Sequence, residues 1–121
     1  MIEFERIDHI HICIPEERLQ EALLFYTEVI GLQLIDRPPV FSKPGYWLAV
    51  AGIELHIGVE PALPRTSRHS AFEVKNVQAA KAYLASKNVE IIPETVIPGR
   101  QRFAFYDPFG NRMEFLEFDS N

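Results

Sequence analysis

The feature that most constrains the fold of this sequence is one order of predicted elements that occurs twice. An alternation of apolar and polar residues predicts a strand over Phe4–Ile14, and apolar residues at helical spacing follow as far as Ile30. Three shorter strand-like runs then complete an order β-α-β-β-β, and the same order returns between His69 and Phe118. An internal repeat of this kind predicts two copies of one structural unit.

Residues that end helices and form turns set the predicted boundaries of the elements. In the first half, the predicted elements after the opening strand are a helix over 16–30 that Gly31 ends and strands over 32–37, 46–50 and 53–59. In the second half, they are a strand over 69–74, a helix over 77–87 with Asn76 as its N-cap, a strand over 89–96 that Pro93 interrupts, and a hairpin with arms 102–106 and 112–118.

The closing hairpin is the clearest local signal in the chain. Its turn contains Asp107, Pro108, Gly110 and Asn111, which are residues that favour a tight reversal. Glu114 lies in the middle of the apolar second arm. A carboxylate is costly to bury without a partner, so the sequence predicts that Glu114 has one.

The predicted fold class is α+β. Two βαβββ modules, residues 1–60 and 68–121, are expected to make up a single domain of residues 1–121, with a curved mixed sheet around a cleft and the helices on its outer face. A chain of 121 residues, 47% of them hydrophobic, is long enough to bury a core.

Histidine and glutamate residues repeat together with the elements. Glu54 follows His9 by 45 residues, and Glu114 follows His69 by the same 45. Because side chains alternate along a strand, all four lie on the side that the apolar residues do not use. Two imidazoles and two carboxylates that converge there would hold a divalent metal.

Two further histidines share these faces. His56, two residues after Glu54, could complete the metal shell in its place, and the equal 45-residue spacing favours Glu54. His11 lies two residues after His9 and shares its face of the strand. It is predicted to be a hydrogen-bonded wall residue rather than a ligand.

Other strand residues are candidates for contact with a substrate. Arg100, Arg102 and Tyr106 share one face of the seventh strand and could hold an anionic substrate, although a solvated edge explains them equally well. Trp47 could line the cleft, but aromatic residues on strands more often belong to the core. Cys13 is predicted to be a small buried side chain.

Composition argues against several classes of partner. The net charge is −5, with 12 basic residues against 17 acidic ones, which does not suit a nucleic-acid backbone. No apolar run approaches the length of a membrane span, and the first residues lack the pattern of a signal peptide. The one cysteine excludes an intramolecular disulfide and fits a reducing compartment. We therefore expect a cytoplasmic protein without nucleic-acid or membrane partners.

Several short motifs resemble the vicinal oxygen chelate superfamily, which includes glyoxalase I, bleomycin-resistance proteins and extradiol dioxygenases. They are the start Ile-Asp-His-Ile, the Phe-Tyr pair and the Ile-Gly-Leu end of the first helix, and the closing Asp-Pro-Phe-Gly-Asn-Arg-Met-Glu-Phe. The resemblance implies a metal held by His9, His69 and Glu114. Similar glyoxalases carry a glutamate in a local Ile-Glu-Leu, which falls on Glu54. The resemblance also implies a homodimer, with sites inside each chain or shared between chains.

The resemblance implies one divalent ion per site, with Fe, Mn, Ni, Co and Zn as the open choices. Lyase or isomerase chemistry of the glyoxalase type is the first expectation, with Glu54 as the base and His56 in reserve. Ring-opening dioxygenation on Fe(II) is the second. A fosfomycin-type transferase is less favoured, because the chain shows no extended loop rich in small and polar residues. The alternative from another class is a metal-free module of the bleomycin-resistance type that sequesters a small molecule.

Overall fold

The structure is a computed structural model that describes residues 1–120. The chain divides into two compact units, Met1–Ala62 and the residues from Leu63 onward, which we call module 1 and module 2. Each module contains a helix and a four-stranded mixed sheet, so the predicted α+β fold of two βαβββ modules is confirmed. The first strand of each sheet is parallel to its neighbour and the other pairs are antiparallel.

Module 1 contains four strands and one helical segment. The strands are β1 (His9–Ile14), β2 (Gln33–Ile35), β3 (Tyr46–Val50) and β4 (Ile53–Val59), in the sheet order β1-β4-β3-β2. The helical segment begins with a 3-10 turn (Glu16–Arg18), continues as α1 (Leu19–Leu24) and ends in a π-helical turn (Phe25–Val29). Gly31 follows at a φ of +90°, which confirms it as the residue that ends the helix.

Two strands of module 1 are shorter than predicted. β1 begins at His9 rather than Phe4, because its partner β4 begins at Ile53 and His9 pairs with Glu54. β2 begins after Leu32, since the Leu32 N–H is bonded to a carbonyl of the preceding helix at 2.8 Å. The hairpin of β3 and β4 agrees with its prediction.

Module 2 repeats this arrangement. Its elements are β5 (His69–Glu73), α2 (Val77–Ser86), β6 (Ile91–Ile92), β7 (Arg100–Tyr106) and β8 (Arg112–Phe118), with the sheet order β5-β8-β7-β6. The predicted N-cap is confirmed, because the Asn76 side chain accepts a hydrogen bond from the Ala79 N–H at 2.9 Å. The N–H of Val77 donates to Glu117 of β8 at 2.9 Å, which ties the start of the helix to the sheet.

The strand predicted over 89–96 is mostly wrong. Only Ile91–Ile92 pairs with β7. The Val89 N–H bonds instead to Leu84 O at 3.1 Å, and Pro93 has no N–H to continue the ladder. The segment that follows contributes a carbonyl and a carboxylate to the candidate site described below.

Both cores lie between a helix and the apolar face of a sheet. In module 1 the buried residues include Ile14, Ala22, Tyr26, Leu48, Leu55 and Ile57. In module 2 they include Val77, Leu84, Phe103, Phe105 and Met113. The opposite face of each sheet is therefore free to carry polar side chains, as the alternation predicts.

The turn between β7 and β8 is organised by one buried carboxylate. Asp107, which is 1% exposed, accepts hydrogen bonds from the N–H groups of Phe109 and Asn111 and from the Asn111 amide, at 2.8–2.9 Å. Gly110 has a φ of +93°, a conformation that favours glycine. The predicted turn is confirmed.

Within residues 1–120, no helix has the length and apolar character that a membrane span requires.

Candidate metal-binding and substrate site

The polar residues of module 1 lie together on one face of its sheet. Strand register places His9 opposite Glu54 and His11 opposite His56, and Trp47 lies beside His56 on the next strand. We call the face that carries these five residues the polar face of module 1. His9 and Glu54, the module 1 donor pair, are directly paired residues of β1 and β4.

His9 is held through its Nδ1 atom. Nδ1 lies 2.9 Å from the Asp8 carboxylate, and Arg6 donates to the other oxygen of Asp8 at 3.0 Å. An ionised carboxylate only accepts hydrogen bonds, so Nδ1 of His9 carries the proton and Nε2 keeps the lone pair of the neutral ring. The hydrogen bond from His9, together with the positive charge of Arg6, lowers the pKa of Asp8.

Glu54 is held by a hydrogen bond from a neighbouring histidine. His56 Nε2 lies 2.9 Å from Glu54 Oε1, and His56 is buried while the Glu54 side chain is 37% exposed. This contact leaves the second carboxylate oxygen of Glu54 available to a ligand or a substrate proton.

His11 lies over a glycine on the same face. A Cβ atom at Gly58 would come within 2.6 Å of His11 Nε2, so the ring occupies the space that a side chain there would need. This close packing is compatible with a wall residue, and the predicted hydrogen bond of His11 stays a prediction. Cys13, predicted to be buried, is only half-buried at the end of β1, and burial raises the pKa of its thiol.

In module 2 the second donor pair, His69 and Glu114, lies diagonally across β5 and β8. His69 pairs with Arg112, and Glu114 pairs with Ala71. His69 Nδ1 donates to the backbone carbonyl of Ser67 at 2.8 Å, which again leaves Nε2 with the lone pair. That Nε2 lies 3.4 Å from Glu114 Oε1.

The separation within this pair suits two ligands of one ion. Ligand atoms about 2.1 Å from an ion, at tetrahedral to octahedral angles, lie about 3.0–3.4 Å apart. A cation between Nε2 of His69 and Oε1 of Glu114 could accept a lone pair from each of these atoms. The separation of these two atoms is therefore compatible with two ligands of one divalent ion.

The equal spacing of 45 residues does not correspond to equal strand register. Residues that pair between the first and fourth strands are 45 apart in module 1, as in His9 and Glu54, but 43 apart in module 2, as in His69 and Arg112. By register, the counterpart of Glu114 in module 1 is His56. The choice of Glu54 as a ligand therefore rests on its own contacts and not on the spacing.

Arg102 is the partner that Glu114 was predicted to need. Its Nη1 donates to Glu114 Oε1 at 3.1 Å, and its Nε and Nη2 atoms donate to the Thr95 carbonyl at 3.2 and 2.8 Å. Glu94 lies 3.8 Å from the same Nη1. All three of these Arg102 nitrogens thus donate hydrogen bonds within the protein, and Arg102 holds the Glu114 carboxylate in place.

Glu94, which lies between two arginines of module 2, was not predicted as a site residue. It accepts a hydrogen bond from Arg112 at 2.7 Å, and this bond raises the pKa of Arg112. Glu94 was expected inside the strand predicted over 89–96, but that strand ends at Ile92, so strand alternation does not set the direction of its side chain. The only sequence signal was a lone acidic residue near a proline.

The remaining predicted substrate residues of module 2 lie on either side of Glu114. The Arg100 guanidinium packs over the Phe118 ring at 4.6 Å. The Tyr106 hydroxyl accepts a hydrogen bond from Arg112 at 3.2 Å and donates to the Thr66 carbonyl at 3.5 Å. All of these residues belong to the face that carries Glu114.

A cavity of about 600 Å³ opens beside Glu54 in module 1. Its lining includes Gln33, Ile35 and Ala49, and Arg6 adds a cationic side chain. Ala49 is the strand neighbour of Glu54, and its small side chain leaves this space open. Arg6 was not predicted as a site residue; it was expected inside the first strand, which in the structure begins only at His9.

Among residues 1–120, no group of three or more His, Cys, Asp or Glu side chains is close enough to hold a metal ion. Within each module, the structure brings together one histidine and one glutamate of the predicted set.

Comparison with known proteins identifies one protein family. The family model described as "Glyoxalase/Bleomycin resistance protein/Dioxygenase superfamily" matches residues 6–115. Glyoxylase I 4 of Arabidopsis thaliana is 25% identical over 122 residues, which cover 91% of this chain and 70% of the plant protein. The crystal structure of a Bacillus anthracis protein assigned to the glyoxalase family has a TM-score of 0.89 and 35% identity, and the match covers 98% of this chain and 99% of that one.

A more distant solved structure contains a bound metal ion. The fosfomycin resistance protein FosX from Listeria monocytogenes, in complex with Mn(II) and 1S,2S-dihydroxypropylphosphonic acid, has a TM-score of 0.82 and 18% identity. The match covers 97% of this chain and 95% of FosX. At this identity the likeness to FosX shows a shared fold alone.

Proposed function

This chain belongs to the Glyoxalase/Bleomycin resistance protein/Dioxygenase superfamily, and on that premise we propose that it is a divalent-metal-dependent enzyme of the glyoxalase type. Its metal ligands are His9, Glu54, His69 and Glu114. The reaction is a lyase or isomerase step on a small substrate with two neighbouring oxygen atoms, and ring-opening dioxygenation on Fe(II) is the second choice.

One observation carries this proposal. In each module a histidine has its Nδ1 bonded to an acceptor, Asp8 for His9 and the Ser67 carbonyl for His69. Each Nε2 is therefore the nitrogen that can bind a metal, and a carboxylate lies on the same sheet face. The Mn(II) in FosX supports a divalent ion, with Fe, Mn, Ni, Co and Zn as the candidates.

A divalent ion held by these residues would supply Lewis-acid polarisation of two neighbouring substrate oxygens. Glu54 is the proposed base, because its second carboxylate oxygen is free to take a proton from a substrate in the adjoining cavity. Arg6 in the wall of that cavity gives an anionic part of the substrate a cationic partner.

The proposal is tested first by metal binding. Protein purified without a histidine tag is expected to bind about one divalent ion per chain, measured by titration with Mn(II) and by metal analysis. His69→Ala should lose most of this affinity. His11→Ala is the matched control and should keep it, because His11 packs on Gly58. Equal losses from the two variants would contradict the assignment.

Glu54→Gln separates the ligand role of Glu54 from its role as a base. The variant should bind metal at raised concentration, since three ligands remain. Turnover should fall by roughly two to four orders of magnitude, the usual contribution of a positioned acid–base group. A metal-bound crystal structure with His56, and not Glu54, within bonding distance would refute this role.

The second candidate function is a metal-free module that sequesters a small molecule. The observation that favours it is the contact of Arg102 with Glu114 at 3.1 Å, which gives the buried carboxylate a cationic partner without any metal. The net charge of −5 would suit a cationic ligand. Absence of divalent metal binding by the wild-type protein would favour this function over the enzyme.

A further inference from the structure

The His56 ring lies between two other rings on the polar face of module 1. The Trp47 ring stacks on it with centres 4.1 Å apart and an angle of 2° between planes, and the His9 ring stacks at 4.0 Å and 16°. These rings come from opposite sides, because β4 lies between β3 and β1 in the sheet. His56 is 8% exposed, so it is held on both faces.

The edge of the His56 ring contacts the other member of the module 1 donor pair. Its Nε2 lies 2.9 Å from Glu54 Oε1, and the ionised carboxylate can only accept. Nε2 therefore carries a proton and donates it. A nitrogen that carries a proton has no lone pair for a metal, so this contact is incompatible with His56 Nε2 as a ligand.

We infer that His56 is the positioning residue of the module 1 donor pair. The face of its ring holds the His9 imidazole, and its N–H group holds the Glu54 carboxylate. This inference rests on the proposed function, since it concerns two of the proposed ligands. It assigns His56 a supporting role in place of the alternative-ligand role that the sequence left open.

The support extends from His56 into the loop between β2 and β3. The Phe41 ring meets Trp47 edge-on, with centres 6.0 Å apart, and the Arg37 guanidinium lies 4.4 Å from the centre of Phe41. Arg37 also donates to the Lys43 carbonyl at 3.1 Å. Trp47 is thus a support for His56 on one of its faces, not only a candidate substrate contact.

Two substitutions at His56 separate its two contacts. His56→Phe keeps a ring in the stack but loses the N–H donor, and His56→Gln keeps a donor but loses the ring. Each is expected to weaken Mn(II) binding by about 10-fold while the stoichiometry stays the same, as is typical when a residue that orients a ligand is changed. Complete loss of Mn(II) binding from both variants would make His56 a ligand and overturn the inference.

A double-substitution cycle tests whether His56 acts through Glu54. In a Glu54→Ala background the N–H of His56 has no carboxylate to hold, so adding His56→Phe should change the Mn(II) dissociation constant by less than about 2-fold. Additive effects of the two changes would contradict the inference. So would a His56→Phe variant with a lower urea midpoint and an unchanged dissociation constant, since that result indicates a purely structural role.

Substitutions at Trp47 test the same support without changing a residue that contacts Glu54 in the structure. Trp47→Phe keeps a ring behind His56 and should bind Mn(II) like the wild type, whereas Trp47→Ala should bind it several-fold more weakly. Equal Mn(II) affinities of Trp47→Phe and Trp47→Ala would contradict the role of the Trp47 ring in holding His56. If the wild-type protein binds no Mn(II), both the proposed function and this inference fail. If the wild type binds Mn(II) but the effects of Glu54→Ala and His56→Phe are additive, only this inference is wrong.

Discussion

At the scale of single residues, the two candidate histidine ligands are held by acceptors of different charge. His9 Nδ1 faces the Asp8 carboxylate, whereas His69 Nδ1 faces the neutral carbonyl of Ser67. A charged acceptor makes an imidazole a stronger electron-pair donor at its other nitrogen. Asp8 should therefore contribute to metal affinity although it is not a proposed ligand.

Asp8→Asn tests this contribution, because asparagine keeps the shape of the side chain and removes its charge. Titration with Mn(II) is expected to show affinity weaker by about 10-fold. Glu5→Gln is the matched control, since Glu5 is an exposed carboxylate in the same segment. A loss of the same size in both variants would indicate a general effect of charge and contradict the role of Asp8.

Cys13 offers a prediction that is independent of the metal. Burial, the negative charge of Glu60 and a hydrogen bond to Glu60 raise the pKa of the thiol above its ordinary value. Because only the thiolate reacts, alkylation by iodoacetamide should be slower at pH 8 than that of an exposed thiol and should accelerate as the pH rises further. Glu60→Gln should speed the reaction at pH 8, and Glu3→Gln should not. A fast reaction of the wild type at pH 8 would be inconsistent with the raised pKa.

At the scale of elements, the β7–β8 hairpin depends on Asp107. Its carboxylate accepts from two backbone N–H groups and one side-chain amide in a buried turn. Local sequence alone predicted this turn, because these three hydrogen bonds all come from residues within four positions of Asp107.

Asp107→Ala should therefore destabilise the protein by about 2–4 kcal/mol, since it leaves buried donors unsatisfied. Urea unfolding measures this change, with Asp119→Ala as the control at an exposed aspartate near the C-terminus. The control is expected to stay within about 0.5 kcal/mol of the wild type. A change of under 1 kcal/mol for Asp107→Ala would show that other groups organise the turn.

At the scale of the whole molecule, both sheets have outer strands that can pair further. β1 and β2 are the outer strands in module 1, and β5 and β6 are those in module 2. Proteins usually cover such edges. Exposed apolar residues before β1, among them Ile2 and Phe4, add surface that favours association.

We therefore predict a homodimer at micromolar concentration, observable by sedimentation velocity. Phe4→Ser should raise the dissociation constant of the dimer, because it removes an exposed apolar side chain. Val96→Ser, at another exposed apolar position, is the matched control. A wild-type monomer at tens of micromolar would contradict the prediction.

The sequence by itself determined the features that depend on neighbouring residues. Alternation placed His9 and Glu54 opposite the apolar residues, and the same reasoning placed Glu114, because side-chain direction along a strand has a period of two. The start of α2 at Asn76 and the turn at Asp107 followed from side chains that bond to their own local backbone.

Only the tertiary structure decided how distant strands align and what lies between them. The 45-residue spacing includes loops of different length, so it could not reveal that His56, and not Glu54, is the register counterpart of Glu114. Contacts of Arg102 with Thr95 and Glu94 likewise cross a segment without periodicity. Register and such contacts are set by packing between residues far apart in the chain, which a local pattern does not encode.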